Sequence, residues 1–249
     1  MSTPFAPLPF APLPFAPGYR RVASEIAARI LDRTLAEGEP LPSETELAAQ
    51  FHVNRSTVRE ALRELESADL VARRRGTKRL VVARPATMQI AGRVRRALAL
   101  NDVTIREVWA MLEVLEPPAA EAAAAAHTPA ALERIRYAVD RYGARHAETQ
   151  AAVDGVAEFF RAVAAASGNR VLPLMQEPLL QLLDAALRVL IDKVPIARER
   201  ITIAQRRVLE AIAAADAGTA RTWMGKHVRD FRRGFEVGGI DLDTPVPFV

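Results

Sequence analysis

A short stretch between residues 42 and 65, PSETELAAQFHVNRSTVREALREL, restricts the fold more than any other part of the chain. Ser43 and Glu46 have the spacing of a capping box, in which a hydroxyl and a carboxylate satisfy the first free N–H groups of a helix. A tight turn follows at residues 52–53, and Asn54 is a favourable cap for a second helix. This pattern predicts a helix-turn-helix, preceded by one further helix at residues 19–36.

The second helix of this motif has one apolar face and one face with basic and hydroxyl groups. Its apolar residues recur at i, i+3, i+4 and i+7, as in a stripe that packs on a core. They are Val58, Ala61, Leu62 and Leu65. The other face begins with Arg55 and Ser56 and continues with Arg59 and Arg63, which are candidates for contact with nucleic acid. Taken singly, Arg59 and Arg63 are also consistent with solvent-exposed charges paired with neighbouring glutamates.

A small β hairpin with a basic turn is predicted after the two helices. Residues typical of strands at 70–72 and 80–82 flank the turn, and Gly76 lies at its tip. Six basic residues fall here with no acidic residue among them. They are Arg73, Arg74, Arg75, Lys78, Arg79 and Arg84. Together with a sequence pI of about 9.9, this local positive charge favours an anionic partner.

Composition excludes several classes of protein. The chain has 249 residues, half of them hydrophobic, which is enough for two modest domains. The absence of cysteine excludes disulfides, thiolate catalysis and thiolate metal sites. No run of apolar residues is long enough to cross a membrane, and no secretion signal is evident at the start. We therefore expect a cytoplasmic protein without a membrane partner.

The sequence after Pro85 has the pattern of helices alone. Predicted helices span 89–100, 104–126, 128–146, 154–166, 169–191, 197–217 and 219–235. Pro117 and Pro118 fall inside the second of these, so a kink or break is expected there. The predicted fold is mainly α: an N-terminal winged helix-turn-helix domain plus a C-terminal all-α antiparallel helical bundle. The predicted boundaries are 1–17 for a proline-rich tail, 18–85 for the winged domain, 86–240 for the bundle and 241–249 for a C-terminal tail.

The first residues form a proline-rich repeat. Residues 3–17 read TPFAPLPFAPLPFAP, with Phe5, Phe10 and Phe15 at equivalent places. Proline at this density excludes helix and central strand. Two interpretations are open: a disordered tail, or a ligand for a protein that docks proline motifs.

Residues 19–84 resemble the winged helix-turn-helix domain of the GntR family of bacterial transcription regulators. The matching positions are 41–44, 46–48, 53–55, 57–62, 65 and 75–76. The resemblance implies that the second helix of the motif enters the major groove of DNA and that the wing tip reaches the minor groove. We expect DNA contacts at Thr45, Arg55, Ser56, Thr57, Arg59, Arg63, Arg75, Gly76 and Lys78. Thr57 has an alternative role as a cap of its own helix, and Thr45 stands where many relatives carry arginine, which leaves the operator sequence open.

The bundle is similar to the FCD domain, the effector-binding and dimerisation domain of the FadR subfamily. The matching positions are 115–117, 119–120, 159, 165–169, 208–212 and 216. Most such domains hold a divalent metal with one Asp and three His. The corresponding positions here are Val156, Phe160, Gln205 and His227. Because the first two carry no ligand atom, we expect no metal and no cofactor. A shifted site that uses Asp154 with His127 or His146 is the alternative.

The resemblance leaves two interpretations of the bundle interior. The arginine that such domains direct at a carboxylate effector corresponds to Leu112. With Val156 and Phe160, this change predicts an apolar effector pocket, on the order of several hundred Å³, in which Gln205 and His227 hold a fatty or aromatic molecule. In the other interpretation these side chains fill the core and no effector binds.

We expect a dimeric, sequence-specific DNA-binding transcription regulator that binds a palindromic double-stranded operator. Control by a small molecule is possible. The sequence does not indicate whether the protein represses or activates transcription. An enzyme is not expected, because the bundle shows no paired carboxylates, Ser–His arrangement or glycine-rich phosphate loop. The alternative is a constitutive DNA-binding regulator whose bundle only dimerises.

Overall fold

The computed structural model of the protein describes residues 17–74, 76 and 79–246. Residues 1–16, which contain nearly all of the proline-rich repeat, lie outside the described residues, as do Arg75 and Lys78. The described chain divides between Ala86 and Thr87 into two units, each with its own core.

The first unit consists of three helices and a two-stranded sheet. In chain order they are α1 (Gly18–Leu31), α2 (Glu44–Phe51), α3 (Arg55–Ser67), β1 (Val71–Arg73) and β2 (Leu80–Val82). The strands pair antiparallel, with Val71 opposite Val82. The core joins all five elements, because Val22, Leu47 and Val58 are buried in one cluster with these two strand residues.

Short polar motifs fix the ends of these elements. The Ser43 backbone N–H donates to Glu46 Oε2 at 2.7 Å and the Glu46 N–H donates to Ser43 Oγ at 3.3 Å, so the predicted capping box is formed. His52 ends α2 in the left-handed conformation, with φ 51°. Asn54 occupies the cap position of α3, but its side chain makes no capping hydrogen bond. Helix α1 ends at Leu31 rather than at residue 36, because the Asp32 carboxylate accepts the Thr34 N–H and the chain turns away.

The second unit is all helical. Its helices are α4 (Thr87–Ala99), α5 (Ile105–Ala126), α6 (Pro129–Arg145), α7 (Thr149–Ala166), α8 (Leu172–Lys193), α9 (Ile196–Ala213) and α10 (Ala217–Val237). This architecture confirms the predicted fold class. Thr104 forms a second capping box with Glu107, and Thr128 caps α6 ahead of Pro129. A break at Pro117 and Pro118 does not occur: α5 continues through both.

Helix α5 is central in the bundle, since it packs against α7, α8, α9 and α10. Its buried face explains why two prolines do not end it, because packing of an apolar face contributes more to a helix in a protein than propensity does. An aromatic cluster fills the middle of the core. In it the Trp109 ring stacks on Phe231 with centroids 4.8 Å apart, and the Phe160 ring stacks on His227 at 5.5 Å.

The segment predicted as a C-terminal tail packs on the bundle as far as it is described. Leu242 and Val246 are buried, and Arg106 forms an ion pair with Asp243 at 2.7 Å. These contacts tie the end of the chain to the start of α5. Within the described part of the chain, no helix combines the length and the apolar character needed to span a bilayer.

Replacing Gly155 with alanine tests the close approach of α6 and α7. An added Cβ would lie 2.9 Å from Tyr142 Cδ2 in a fully buried contact. We expect Gly155→Ala to lower the free energy of unfolding by about 1–3 kcal/mol, as overpacked cores do. Gly92→Ala is the control, because no atom lies within 4 Å of its added Cβ. In mid-helix that change should stabilise by up to about 1 kcal/mol. Urea unfolding curves give the free energy of unfolding of both variants. Equal changes in the two variants would contradict the close contact between Gly155 and Tyr142.

Candidate functional site

The candidate nucleic-acid interface is built on the exposed face of α3. Val58, Ala61, Leu62 and Leu65 are between 0% and 5% exposed, and this burial turns the opposite face outward. Arg55, Ser56, Arg59 and Arg63 are all exposed on that face, while Thr57 is half-buried. Among the described residues, Arg59 and Arg63 form no ion pair with the neighbouring glutamates. The arginines therefore present their charge to solvent along one side of the helix.

A surface groove of about 410 Å³ continues this face toward the hairpin. It lies between the start of α2 and the two strands, and its lining includes Thr45, Arg55, Arg73 and Arg79. The structure thus brings together two predicted contact residues and two arginines of the hairpin to which the sequence assigned no individual role. The sequence signal for Arg73 and Arg79 was the run of basic residues, but their place beside α2 depends on strand pairing.

Glu44 in this groove and the glutamates beside it make weak or local interactions. Arg55 Nη2 lies 3.8 Å from Glu44 Oε2, and Arg73 Nε lies 3.3 Å from Glu66 Oε1; in each pair the arginine is exposed and the glutamate half-buried. The pKa of Glu46 is lowered by its hydrogen bonds with Ser43 and, to a smaller extent, by the charge of Arg79. Exposed ion pairs of this kind contribute little stability, so phosphate oxygens can replace the carboxylates at small cost.

Gly76 shapes the tip of the hairpin. Its φ is +79°, a conformation that glycine adopts without steric cost, and no atom lies within 4 Å of where a Cβ would be. Gly76 is therefore exposed, with open space where a side chain would project. Arg75 and Lys78, the other predicted contact residues of the turn, lie outside the described residues.

The five residues predicted to line an effector pocket are buried together in the bundle core. Leu112, Val156, Phe160 and Gln205 are 0% exposed, and His227 is 1% exposed. A cavity of about 50 Å³ reaches this region between α8, α9 and α10, and of the five residues it touches His227. Its other lining residues include Leu190, Ile201 and Phe231. The space present in this conformation is thus much smaller than the several hundred Å³ expected from the sequence.

These residues do not fit a divalent metal. Val156 and Phe160 offer only hydrocarbon, which leaves the Gln205 amide and the His227 imidazole as possible donors, fewer than a site needs. The alternative set does not converge either: in the described residues no three His, Asp or Glu side chains lie close enough to hold a metal.

A buried glutamate–glutamine pair in the same core was not predicted. Gln176 Nε2 donates to Glu116 Oε1 at 2.7 Å and to the backbone carbonyl of Phe160 at 3.2 Å, and both side chains are 0% exposed. Burial raises the pKa of Glu116 to about 8, and the hydrogen bond from Gln176 opposes this shift only in part. Burial also lowers the pKa of His227 to about 3. Glu116 was visible in the sequence as a glutamate on the apolar face of α5, but its partner lies sixty residues away.

An exposed basic helix beside a hairpin, followed by an all-helical unit, defines a winged helix-turn-helix protein with a helical partner domain. Comparison with known proteins agrees with this class. Residues 18–81 match the bacterial regulatory proteins, gntR family, and residues 107–230 match the FCD domain.

Similar proteins extend over most of the chain. The HTH-type transcriptional repressor NanR of Cronobacter sakazakii (strain ATCC BAA-894) is 31% identical over 83% of this chain and 81% of that protein. The HTH-type transcriptional regulator LutR of Bacillus subtilis (strain 168) is 28% identical over 78% of this chain and 90% of that protein. Among solved structures, Streptococcus agalactiae GntR has a TM-score of 0.68 at 25% identity, covering 86% of this chain and 99% of that one. The chain therefore belongs to the GntR family, and it is a DNA-binding transcription regulator with an FCD domain.

Glu116→Gln tests the uncharged state of the buried carboxyl. A pKa raised from 4.5 to about 8 means that the folded protein binds an extra proton between these values. The protonated Glu116 carboxyl contributes its full stabilisation below its pKa in the unfolded chain, and this stabilisation is lost as pH rises toward its pKa in the folded protein. We expect wild type to lose up to about 1.4 kcal/mol per pH unit between pH 5 and 8 relative to the variant. Thermal unfolding across this range measures it.

The matched control for this experiment is Glu133→Gln, which changes an exposed glutamate on α6. Its stability should follow that of wild type at every pH. Parallel pH profiles for wild type and Glu116→Gln would show that Glu116 is ionised in the folded protein.

Proposed function

We propose that this regulator binds a palindromic operator as a homodimer, with α3 in the major groove and the hairpin tip at the minor groove. The observation that carries the proposal is the exposed basic face of α3 joined to the groove at Thr45, Arg55, Arg73 and Arg79. Arginines in a major groove read guanine edges, and those near the backbone bind phosphate. We assign base reading to Arg55, Ser56, Thr57 and Arg59.

The phosphate-binding set in this proposal is larger than the sequence alone indicated. It comprises Thr45, Arg63, Arg73, Arg79 and, in the turn, Gly76 through its backbone, with Arg75 and Lys78 as further contacts. Thr45 supplies a short hydroxyl rather than an arginine. The long side chains of Arg73 and Arg79 therefore provide most of the positive charge of the groove.

The helical unit is proposed as the dimerisation domain. Large apolar side chains remain exposed on it, including Met111 at 48%, Val114 at 63% and Ile203 at 56%. Exposed apolar residues of this size are commonly covered in an oligomer. A two-fold axis through such an interface would place a second copy of α3, the proposed recognition helix, in the inverted orientation. The operator would therefore contain two inverted half-sites.

Two modes of control have support. The cavity at His227 favours a regulator whose operator affinity depends on a small molecule in the bundle. The dense core around Val156 and Phe160, both 0% exposed, favours the alternative of a constitutive regulator with a structural bundle. In either case the protein acts in the cytoplasm, where its DNA is, and performs no chemical reaction.

Arg55→Ala tests base reading. With an operator fragment selected from a random duplex pool by the purified protein, we expect the affinity to fall about 5- to 150-fold, the equivalent of about 1–3 kcal/mol for one base contact. Discrimination against non-operator DNA should fall by the same factor. Arg29→Ala is the control, since this exposed arginine of α1 pairs with Glu25 at 3.0 Å. Fluorescence anisotropy measures the affinities, and equal losses on operator and random DNA would overturn the assignment.

Arg79→Ala tests phosphate contact at the groove. The slope of log K against log salt should decrease by about 1, because one fewer counterion is released on binding. Preference for the operator over random DNA should remain within about twofold of wild type, as is typical of a phosphate contact. Titrations from low to moderate salt give the slope. An unchanged slope together with lost preference would make Arg79 a base-reading residue instead.

A further inference from the structure

The outer face of α10 carries a concentration of positive charge. Five residues of this helix are Lys or Arg, and two are Asp or Glu. From Lys226 to Arg233 every exposed position is basic. These positions are Lys226, Arg229, Arg232 and Arg233. A surface groove of about 690 Å³ follows the four side chains. This face therefore lacks the alternation of both signs that is common on exposed helices.

Three of these cations are not neutralised by a carboxylate. The two acidic residues of α10 are already engaged, since they pair with Arg200 at 3.0 Å and with Arg232 at 3.7 Å. Lys226, Arg229 and Arg233 form no ion pair within the part of the chain that the structure describes. They recur at i, i+3 and i+7, the spacing of residues on one side of a helix. We call these three residues the α10 stripe.

Two contacts hold cations of the α10 stripe in place without neutralising them. Lys226 Nζ lies 4.5 Å from the centroid of the Trp223 ring, whose face attracts the ammonium and leaves its charge intact. Arg229 Nη1 lies 3.2 Å from where a Cβ of Gly225 would be, so the missing side chain makes room for the guanidinium. Because these side chains are already partly restricted, less conformational entropy is lost when an anion binds them.

The length and the chemistry of the α10 stripe fit the backbone of duplex DNA. Lys226 and Arg233 are seven residues apart, which corresponds to about 10.5 Å along a helix. One strand of a duplex presents a phosphate about every 3.4 Å of its axis, so a helix that lies along the duplex passes about three phosphates over this distance. Protein–DNA interfaces are also more polar and more positively charged than protein–protein interfaces. The stripe has this character.

Two other occupants fit this face less well. In a two-fold interface centred on the α10 stripe, each stripe would face its own copy, and like charges would oppose each other. A single-stranded nucleic acid needs an aromatic side chain on which its bases stack. Trp223 is half-buried, and its ring already holds Lys226. Duplex DNA, which the protein binds, meets neither difficulty.

We propose that the α10 stripe binds phosphates of duplex DNA and is a second DNA-contacting surface, located on the helical unit. Its N–H groups donate to phosphate oxygens, and such contacts carry no sequence preference. This inference goes beyond the operator reading proposed for α3 and does not depend on it, because phosphates are the same in every sequence. The consequence is a stronger and more salt-dependent attachment to any duplex.

The salt dependence of DNA binding by the full chain tests the α10 stripe. The test variant replaces its three cations together: Lys226→Gln, Arg229→Gln and Arg233→Gln. We expect the slope of log K against log salt to decrease in magnitude by about 3, because three fewer counterions are released on binding. The decrease should be the same on the operator and on a random-sequence duplex. Preference for the operator should therefore stay within about twofold of wild type.

The matched control removes the same net charge from another helix. It replaces three exposed arginines of α6: Arg134→Gln, Arg136→Gln and Arg145→Gln. This control should change the slope by less than about 1, because salt screens charges that do not touch the DNA. Thermal unfolding verifies that both triple variants are folded.

Cross-linking locates the contact directly. The chain contains no cysteine, so a single introduced thiol carries a photoreactive label at one known position. Thr222→Cys places the label on an exposed site one turn before Lys226, and Glu133→Cys places it on α6. We expect the label at position 222 to cross-link to a duplex and the label at position 133 to remain free of DNA.

Two results would contradict the inference. One is a salt slope that the stripe variant leaves unchanged or lowers no more than the α6 control does, which would leave an acidic protein as the partner to seek. The other is equal cross-linking from the two labelled positions. A failure of the proposed operator reading has a different signature: Arg55→Ala would leave operator preference intact, while the stripe variant would still lower the slope on a random duplex.

Discussion

Burial of one apolar stripe of α3 is the interaction on which the DNA-binding unit depends. Val58 and Ala61 are 0% exposed, with Leu62 and Leu65 nearly so, in a core shared with α1, α2 and both strands. Since successive residues of a helix are rotated by about 100°, this stripe leaves a single orientation in which Arg55 and Arg59 face solvent. The same core fixes the hairpin, because Val71 and Val82 pair across it. Helix α3 and the hairpin are thus positioned by one set of hydrophobic contacts.

In the helical unit, burial determines the protonation state of two side chains, Glu116 and His227. Desolvation raises the pKa of the Glu116 carboxyl and lowers the pKa of the His227 imidazole, so both shifts favour the neutral form at pH 7. The hydrogen-bonding groups at these two positions are therefore neutral, whereas the buried Glu177 elsewhere in the unit forms an ion pair with Arg161 at 2.6 Å. Val156 and Phe160 beside them add only hydrocarbon to this core, and both are 0% exposed.

Elements fixed by short local motifs could be predicted from the sequence, whereas features that depend on tertiary contacts could not. The predicted capping box at Ser43 located the start of α2 correctly because it is complete within four residues, and α5 begins within one residue of its predicted start, where Thr104 forms the same motif. Helix α7 begins at Thr149, five residues before the predicted start, where the Thr149 hydroxyl meets Asp192 and Arg198 from the next two helices. Helix α9 ends four residues early, because Asp216 caps α10 through the Thr219 N–H. The groove arginines and the Glu116–Gln176 pair likewise depend on contacts across the fold.

The surface groove and the bundle core differ in how neighbouring side chains can supply charge. At the surface groove Thr45 brings no charge of its own, and the positive charge comes from Arg55 and from Arg73 and Arg79 on the hairpin. In the bundle the His227 ring lies against the rings of Phe159 and Phe160, at centroid distances of 5.8 Å and 5.5 Å, and charged side chains are found only further out along the cavity that His227 touches, at Arg200, Asp230 and Arg233. A surface site tolerates an uncharged residue at one position, because long flexible side chains from nearby positions can supply the charge. A closely packed buried site cannot be compensated in this way, so the chemistry of the residues inside it decides which groups it can bind.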